Sequence, residues 1–160
     1  MEKSLQALMI LRQIIRATEI QEKNISRSTG LTLPQLMVLQ TLRERSPMTT
    51  GDLARHLNVA QATVTSILDR LEKKQLILRE RGKEDKRKMW VQLTDSGLEL
   101  LKSAPTTQQD RFTRQFDDMH DWEQSMAIAS LERIAALLDA DHIDAAPVLN
   151  IGRLDREDGA

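Results

Sequence analysis

The chain contains no cysteine and no tyrosine, and among its 160 residues there are only two tryptophans and two phenylalanines. Without cysteine there is no disulfide, no thiolate chemistry and no cysteine-ligated metal. With so few rings, a core has to be assembled from Leu, Ile, Val and Met, which suits helices packed on helices. Long hydrophobic runs are missing too. The apolar stretch from Leu8 to Leu11 is cut off by Arg12 and Arg16, so it is too short to span a bilayer and does not form the apolar segment of a signal peptide. A cytoplasmic protein with no membrane partner is expected. His56, His120 and His142 are scattered along the chain. The clusters nearest to them, Asp117-Asp118 with His120 and Asp141-His142 with Asp144, lack a partner nucleophile or a repeated ligand spacing. They read as acidic helix surface, and no catalytic residue, metal or cofactor is expected.

A net excess of charge is also absent, since 23 Lys and Arg face 24 Asp and Glu. The near-balance conceals a polarised chain. Residues 70–88 carry nine basic against four acidic side chains, a net of +5, whereas residues 109–160 carry five against twelve, a net of −7. A Lys-rich stretch by itself is often only a solvated turn. Beside a neutral helix it becomes the electrostatic footprint of a duplex binder.

That helix is found within Thr49–Thr94. Thr49 followed three residues later by Asp52 signals a helix start, with Leu53, Ala54 and Leu57 at helical spacing. His56-Leu57-Asn58-Val59 turns the chain. A second helix runs from Ala60 with Val64, Ile67, Leu68 and Leu71 as its apolar stripe, which leaves Gln61, Ala62, Thr63, Thr65, Ser66 and Arg70 on the open side. Short polar side chains suit base edges in a major groove, and Thr49 and Thr50 stand at the start of the helix before it. Leu76-Ile77-Leu78 reads as a strand. Arg79 to Lys88 forms a polar hairpin, and Met89, Val91 and Leu93 alternate as a half-buried return strand. Helix, turn, helix and hairpin together make a winged helix, with the second helix for the major groove and the hairpin lying toward the minor groove.

The flanking segments are helical. Residues 3 to about 23 place Leu5, Leu8, Met9, Arg12, Ile15 and Ile20 along one helix, widened by Leu11 and Ile14, so that it needs partners in its own core and in a second copy. Asn24 to Gly30 reads as a polar break. Thr32-Leu33-Pro34-Gln35 is a capped start for a helix continuing through Leu36, Leu39 and Leu42 to Arg45, where Ser46-Pro47 ends it and Met48 leads on as a strand residue. After the wing, Thr94 caps a helix with Leu98, Leu100 and Leu101 that Pro105 bends or ends. From Gln108 the stripe resumes with Phe112, Phe116 and Met119 and continues through Trp122, Met126, Ala129, Ile134, Leu137 and Leu138. An aromatic and Met stripe at helical period is more often core or interface than a cofactor box. From Asp139 onward periodicity fades into a tail in which Val148, Leu149 and Ile151 are the apolar exceptions.

Asp85-Lys86-Arg87, then Val91-Gln92-Leu93-Thr94 and Gly97, resembles the D-x-R…V-x-L-T-x-x-G wing signature of the MarR family of bacterial transcriptional regulators. Leu53-Ala54, Val64-Thr65, Leu68-Asp69-Arg70-Leu71-Glu72 and Leu76-Ile77 match that family's helix-turn-helix in order and spacing, and the likeness covers residues 5–140. It implies a mainly α fold with a small β-hairpin wing, organised as an N-terminal dimerisation helix over 1–30, a winged helix-turn-helix over 31–97, C-terminal dimerisation helices over 98–140 and a tail over 141–160. It also implies that Arg87 reaches into the minor groove while Asp85 holds its guanidinium, with a local salt bridge that only stiffens the hairpin as the alternative. The other wing side chains for DNA are Arg79, Arg81, Lys83, Lys86 and Lys88. Two departures stand out: Ala60 where a capping residue is usual, and Gln75 where Gly commonly ends the reading helix. The absence of cysteine excludes the oxidation sensing of some members. The WEQ, SLERIA and DAAPVL runs look like a subgroup controlling genes for compatible osmolytes such as ectoine.

The expected function is a homodimeric regulator on double-stranded DNA, most often a repressor at a palindromic operator. The family also implies a small-molecule effector pocket, for which Arg16, Gln40 and Trp90 are the candidates, although Arg16 reads more readily as an ordinary ion-pair residue. The competing reading is a winged helix used as a protein–protein interaction module, its basic hairpin docking on an acidic partner.

Overall fold

Ten completely buried aliphatic side chains, Leu36, Val38, Leu39, Leu42, Leu53, Val64, Leu68, Leu71, Ile77 and Val91, sit at the centre of one cluster. Each such side chain contributes about 1.5–3 kcal/mol by leaving water, so this cluster outweighs any cap or surface pair in holding the lobe together. The computed structural model describes residues 2–143. In chain order the elements are α1 (Lys3–Thr29), α2 (Leu33–Arg45), β1 (Met48–Thr49), α3 (Thr50–Leu57), α4 (Gln61–Lys73), β2 (Ile77–Arg81), β3 (Met89–Leu93), α5 (Asp95–Ser103), α6 (Gln108–Asp117) and α7 (Asp121–Leu137). The strands make one antiparallel sheet in the order β1-β3-β2, with Met48 opposite Val91 and Ile77 opposite Leu93.

The chain divides into two compact units, the first ending at Pro105 and the second beginning at Thr106. In the first, α2 opens on the expected reciprocal cap: the Gln35 amide donates to Thr32 Oγ1 at 3.4 Å and the Thr32 amide to Gln35 Oε1 at 3.2 Å. Thr49 caps α3 through the Asp52 amide at 3.1 Å, and Thr94 caps α5 through the Gly97 amide at 3.1 Å. Ala60, as expected, supplies no side-chain cap to α4. Gln75 adopts φ +59°, the left-handed conformation expected where glycine is usual. That strain, about 1–2 kcal/mol for an L-residue, is opposed by hydrogen bonds that hold the turn: the Leu76 amide donates to Leu71 O at 3.0 Å and Thr94 Oγ1 to Gln75 O at 2.7 Å.

Three boundaries differ from the sequence reading. The polar break expected at Asn24–Gly30 is helical to Thr29, because Ile25 is completely buried and the Ser28 and Thr29 hydroxyls bond back to carbonyls one turn earlier. Gly30 then ends the helix at φ +68°. The strand expected at Leu76–Leu78 runs on to Arg81, so the hairpin loop shrinks to residues 82–88. The stripe expected to continue past Met119 is broken between Asp117 and Asp121.

In the second unit, α6 starts on a reciprocal cap between Thr107 and Asp110. The break before α7 is stabilised by the Gln124 amide group, which donates to Phe116 O at 2.9 Å and Met119 O at 3.1 Å, while the His120 amide donates to Glu123 Oε2 at 3.0 Å. Neither helix buries a residue fully, and Phe112, Trp122, Met126, Leu131 and Leu137 remain exposed. The N-terminal helix is similar: Ile25 is its one buried residue, and Leu5, Leu8, Met9, Ile10, Ile14, Ile15 and Ile20 are exposed by 43–52%. Of the expected tail, residues 144–160, including Val148, Leu149, Ile151 and the DAAPVL run, lie outside the described residues. Among the described residues no helix is long and apolar enough to cross a membrane.

Gly97 sits where α5 meets the turn after α4, and a Cβ there would lie 2.3 Å from Leu76 O. Backbone cannot yield as a side-chain tip does, so Gly97→Ala should lower stability by about 1–3 kcal/mol, read as a reduced urea midpoint with an unchanged m-value.

Candidate nucleic-acid interface

Burying Val64, Ile67, Leu68 and Leu71 fixes the roll of α4 about its axis and sends Gln61, Ala62, Thr65 and Ser66 to the surface. Thr63 and Arg70, expected on the same open side, are half-buried at its margin. The Thr65 hydroxyl donates to Gln61 O at 2.9 Å, which leaves its oxygen free to accept. The exposed face is therefore short, polar and uncharged over its first turn and a half. At the start of α3, Thr49 and Thr50 are half-buried, and Thr49 Oγ1 also donates to Asp52 Oδ2 at 2.6 Å. This bond, followed by the contact with Arg55, holds the Asp52 carboxyl below the usual carboxylate range.

The wing is a tightly specified loop. The Gly82 amide donates to Lys88 O at 2.9 Å and the Lys88 amide to Asp85 O at 3.1 Å. Asp85 Oδ1 accepts from the Arg87 backbone amide at 3.0 Å. The sequence reading expected this carboxylate to hold the Arg87 guanidinium. It holds the backbone instead, because an aspartate two residues ahead of an amide closes a local turn by accepting from it. Lys83, Lys86, Arg87 and Lys88 in the loop and Arg81 at the end of β2 are all exposed, so the hairpin presents five cations to solvent.

Arg79, expected among the wing side chains directed at DNA, is placed differently. Opposite buried Val91 and two residues beyond buried Ile77, it takes the inward phase of β2. Its Nε donates to Glu72 Oε2 at 3.0 Å and its Nη2 lies 2.7 Å from Asp69 Oδ1. The hydrogen bond to Glu72 is the leading cause that raises the Arg79 pKa further above its already high ordinary value. Sequence reasoning missed this pairing, although an arginine at an inward strand position beside a helix carrying Asp69 and Glu72 was the signal for it.

The three effector-pocket candidates are not brought together. Arg16 is exposed and pairs with Glu19 within its own helix at 3.0 Å. Trp90 lines a hollow of about 250 Å³ at the base of the wing with Pro47, Glu80, Arg81, Gly82, Lys83 and Gln92. Gln40 is half-buried on α2 and does not line that hollow. Among the described residues, no three His, Asp or Glu side chains are grouped so as to hold a metal ion.

A Cβ on Gly82 would lie 2.5 Å from Asp85 O, which is backbone, and 3.4 Å from Trp90 Nε1. Gly82→Ala should therefore reshape the loop while sparing the core, with backbone amide shifts changing over residues 82–90 and the thermal midpoint staying within about 2–4 °C of wild type.

A profile described as MarR family matches residues 31–89, which run from the residues just before α2 to the first residue of β3. The chain is similar to YsmB of Bacillus subtilis, an uncharacterized HTH-type transcriptional regulator, with 27% identity over 124 residues covering 78% of this chain and 85% of YsmB. Its fold is similar to that of MepR in the Staphylococcus aureus MepR–DNA complex, with TM-score 0.61 and 23% identity, covering 81% of this chain and 96% of the other. Reduced AbfR bound to DNA is similar at TM-score 0.54 and 27% identity, with 84% and 93% covered. Over residues 31–89 the chain matches the MarR family, and the arrangement of α3, α4 and the wing is similar to that of winged helix-turn-helix transcriptional regulators.

Proposed function

We propose that two copies of this chain bind one DNA duplex as a cytoplasmic, non-enzymatic repressor at a palindromic operator. The observation that carries the reading is the pairing of an exposed, uncharged face on α4 with an exposed hairpin of five cations, both fixed by one core. Gln61, Ala62, Thr65 and Ser66 meet base edges in the major groove, with Thr63 and Arg70 at the margin of that contact. Arg81, Lys83, Lys86, Arg87 and Lys88 follow the phosphates, and Arg87 enters the adjacent minor groove, where narrow A/T steps concentrate negative potential. Thr49 and Thr50 lie at the backbone beside α3. MepR and AbfR, both solved on DNA, support this reading through their shared fold.

Dimerisation is supported by the apolar side chains left open on α1 and on α6 and α7, since apolar faces without a partner on their own chain mark association surfaces. A single winged helix reads about one half-site, and a two-fold pair doubles the base pairs sampled. An effector would act by binding more tightly to the dimer whose wings are spaced wrongly for DNA, and by no more than that difference in affinity. The resemblance to regulators of compatible-osmolyte genes makes the promoters of such genes the first duplexes to test.

On a duplex the protein prefers, Gln61→Ala should cost about 1–3 kcal/mol and relax the preference at one base pair. Arg87→Ala should weaken binding and flatten the dependence of affinity on salt. Both are read by fluorescence anisotropy across a salt series. Equal affinity for that duplex and a scrambled one at physiological salt would sink the DNA reading. Sedimentation should give twice the chain mass, and Leu8→Asp combined with Leu131→Asp should shift the species toward a single chain.

A further inference from the structure

We propose that Arg79 is a positioning residue that locks the wing to the reading helix, and that Asp69 and Glu72 are its anchor points rather than incidental acids. The inference rests on the DNA-binding reading and assigns this side chain a task other than touching DNA. Three observations carry it. The guanidinium spans two elements: it is rooted on β2 and bonded to α4, through Nε to Glu72 at 3.0 Å and through Nη2 to Asp69 at 2.7 Å. Its side chain is only 20% exposed, whereas the two carboxylates are 51% and 39% exposed, so the cation is the shielded member of the group. And it lies on β2 two residues before Arg81, the last residue before the loop that carries the DNA-facing cations.

The geometry does two things at once. A planar fork held by two carboxylates one turn apart on a helix fixes the angle between β2 and α4 more tightly than a point charge would. That angle sets where Arg87 stands relative to Gln61, and so whether one duplex can meet both. Asp69 and Glu72 are also the two acids of α4. Left unpaired they would repel phosphates beside the reading face. Arg79 neutralises one of those charges and spreads the remaining one over the group.

Charge and positioning predict opposite outcomes, which makes the idea testable. The full chain is compared as wild type, Arg79→Gln, Arg79→Lys, Asp69→Asn with Glu72→Gln, and the triple combination. Two duplexes are used: one selected by the wild type from a random-sequence pool, and a scrambled version of it. If Arg79 is a lock, Arg79→Gln and the paired acid variant each lower the selected-to-scrambled affinity ratio on the order of tenfold. The triple variant is then no worse than either, because one link cannot be broken twice. Amides of residues 78–81 and 89–93 exchange faster in these variants without DNA, those of α4 do not, and Arg79→Lys recovers part of the ratio. If Arg79 contacts phosphate instead, Arg79→Gln weakens both duplexes alike and reduces the salt slope by about one. The acid variant then binds more tightly and wing exchange stays at the wild-type rate, and that pattern overturns the proposal. Failure of the wild type to select any duplex would refute the DNA reading itself, and the exchange comparison would then decide whether the lock exists.

Discussion

The interface depends on the burial of one face of α4. Val64, Ile67, Leu68 and Leu71 are removed from water against α2, α3 and the strands, and a helix that buries one stripe has no freedom over which residues it turns outward. The same core holds Ile77 and Val91, the residues at which the two wing strands enter it. Reading helix and wing are thus positioned by shared hydrophobic contacts. The uncapped start at Ala60 and the left-handed Gln75 are tolerated because the cap and backbone terms are small beside that burial.

Polar interactions refine what the core sets. Inside the loop, Asp85 shapes backbone; between strand and helix, Arg79 gathers the acids of α4; at the tip of the hairpin, Lys83, Lys86, Arg87 and Lys88 face solvent. The sequence holds almost equal numbers of opposite charges, and their placement gives one edge of the first unit its cationic character. Because the Arg79 guanidinium is largely shielded while the loop cations face solvent, added salt screens the second group more than the first.

Much of this architecture was legible beforehand. Apolar residues three and four apart located α2, α3 and α4, and the Thr-led starts of α2, α3 and α5 stand where capping chemistry puts them. Pro105 separates α5 from α6, as a residue without an amide donor should. Three features depended on contacts between distant parts of the chain and left little local trace. The last turn of α1 looked like a loop because Asn24, Ser26, Ser28 and Thr29 are polar, and it is helical because Ile25 reaches the core. The interruption after Asp117 relies on Gln124 reaching back across the corner. Arg79 looked like one more basic residue of a basic hairpin, and only the register of β2 against β3 turned it inward. Arg16, Gln40 and Trp90 were grouped through family likeness, and the lining of the hollow at Trp90 does not include the other two.

The scarcity of rings has an optical corollary. With no tyrosine and two tryptophans, near-ultraviolet emission comes from two indoles, one in each compact unit: Trp90 on β3, against the Gly82 end of the loop, and Trp122 at the start of α7. Removing the Trp122 indole leaves a chain whose intrinsic fluorescence originates from the wing alone, so quenching or a shift in its maximum follows that hairpin without any attached dye.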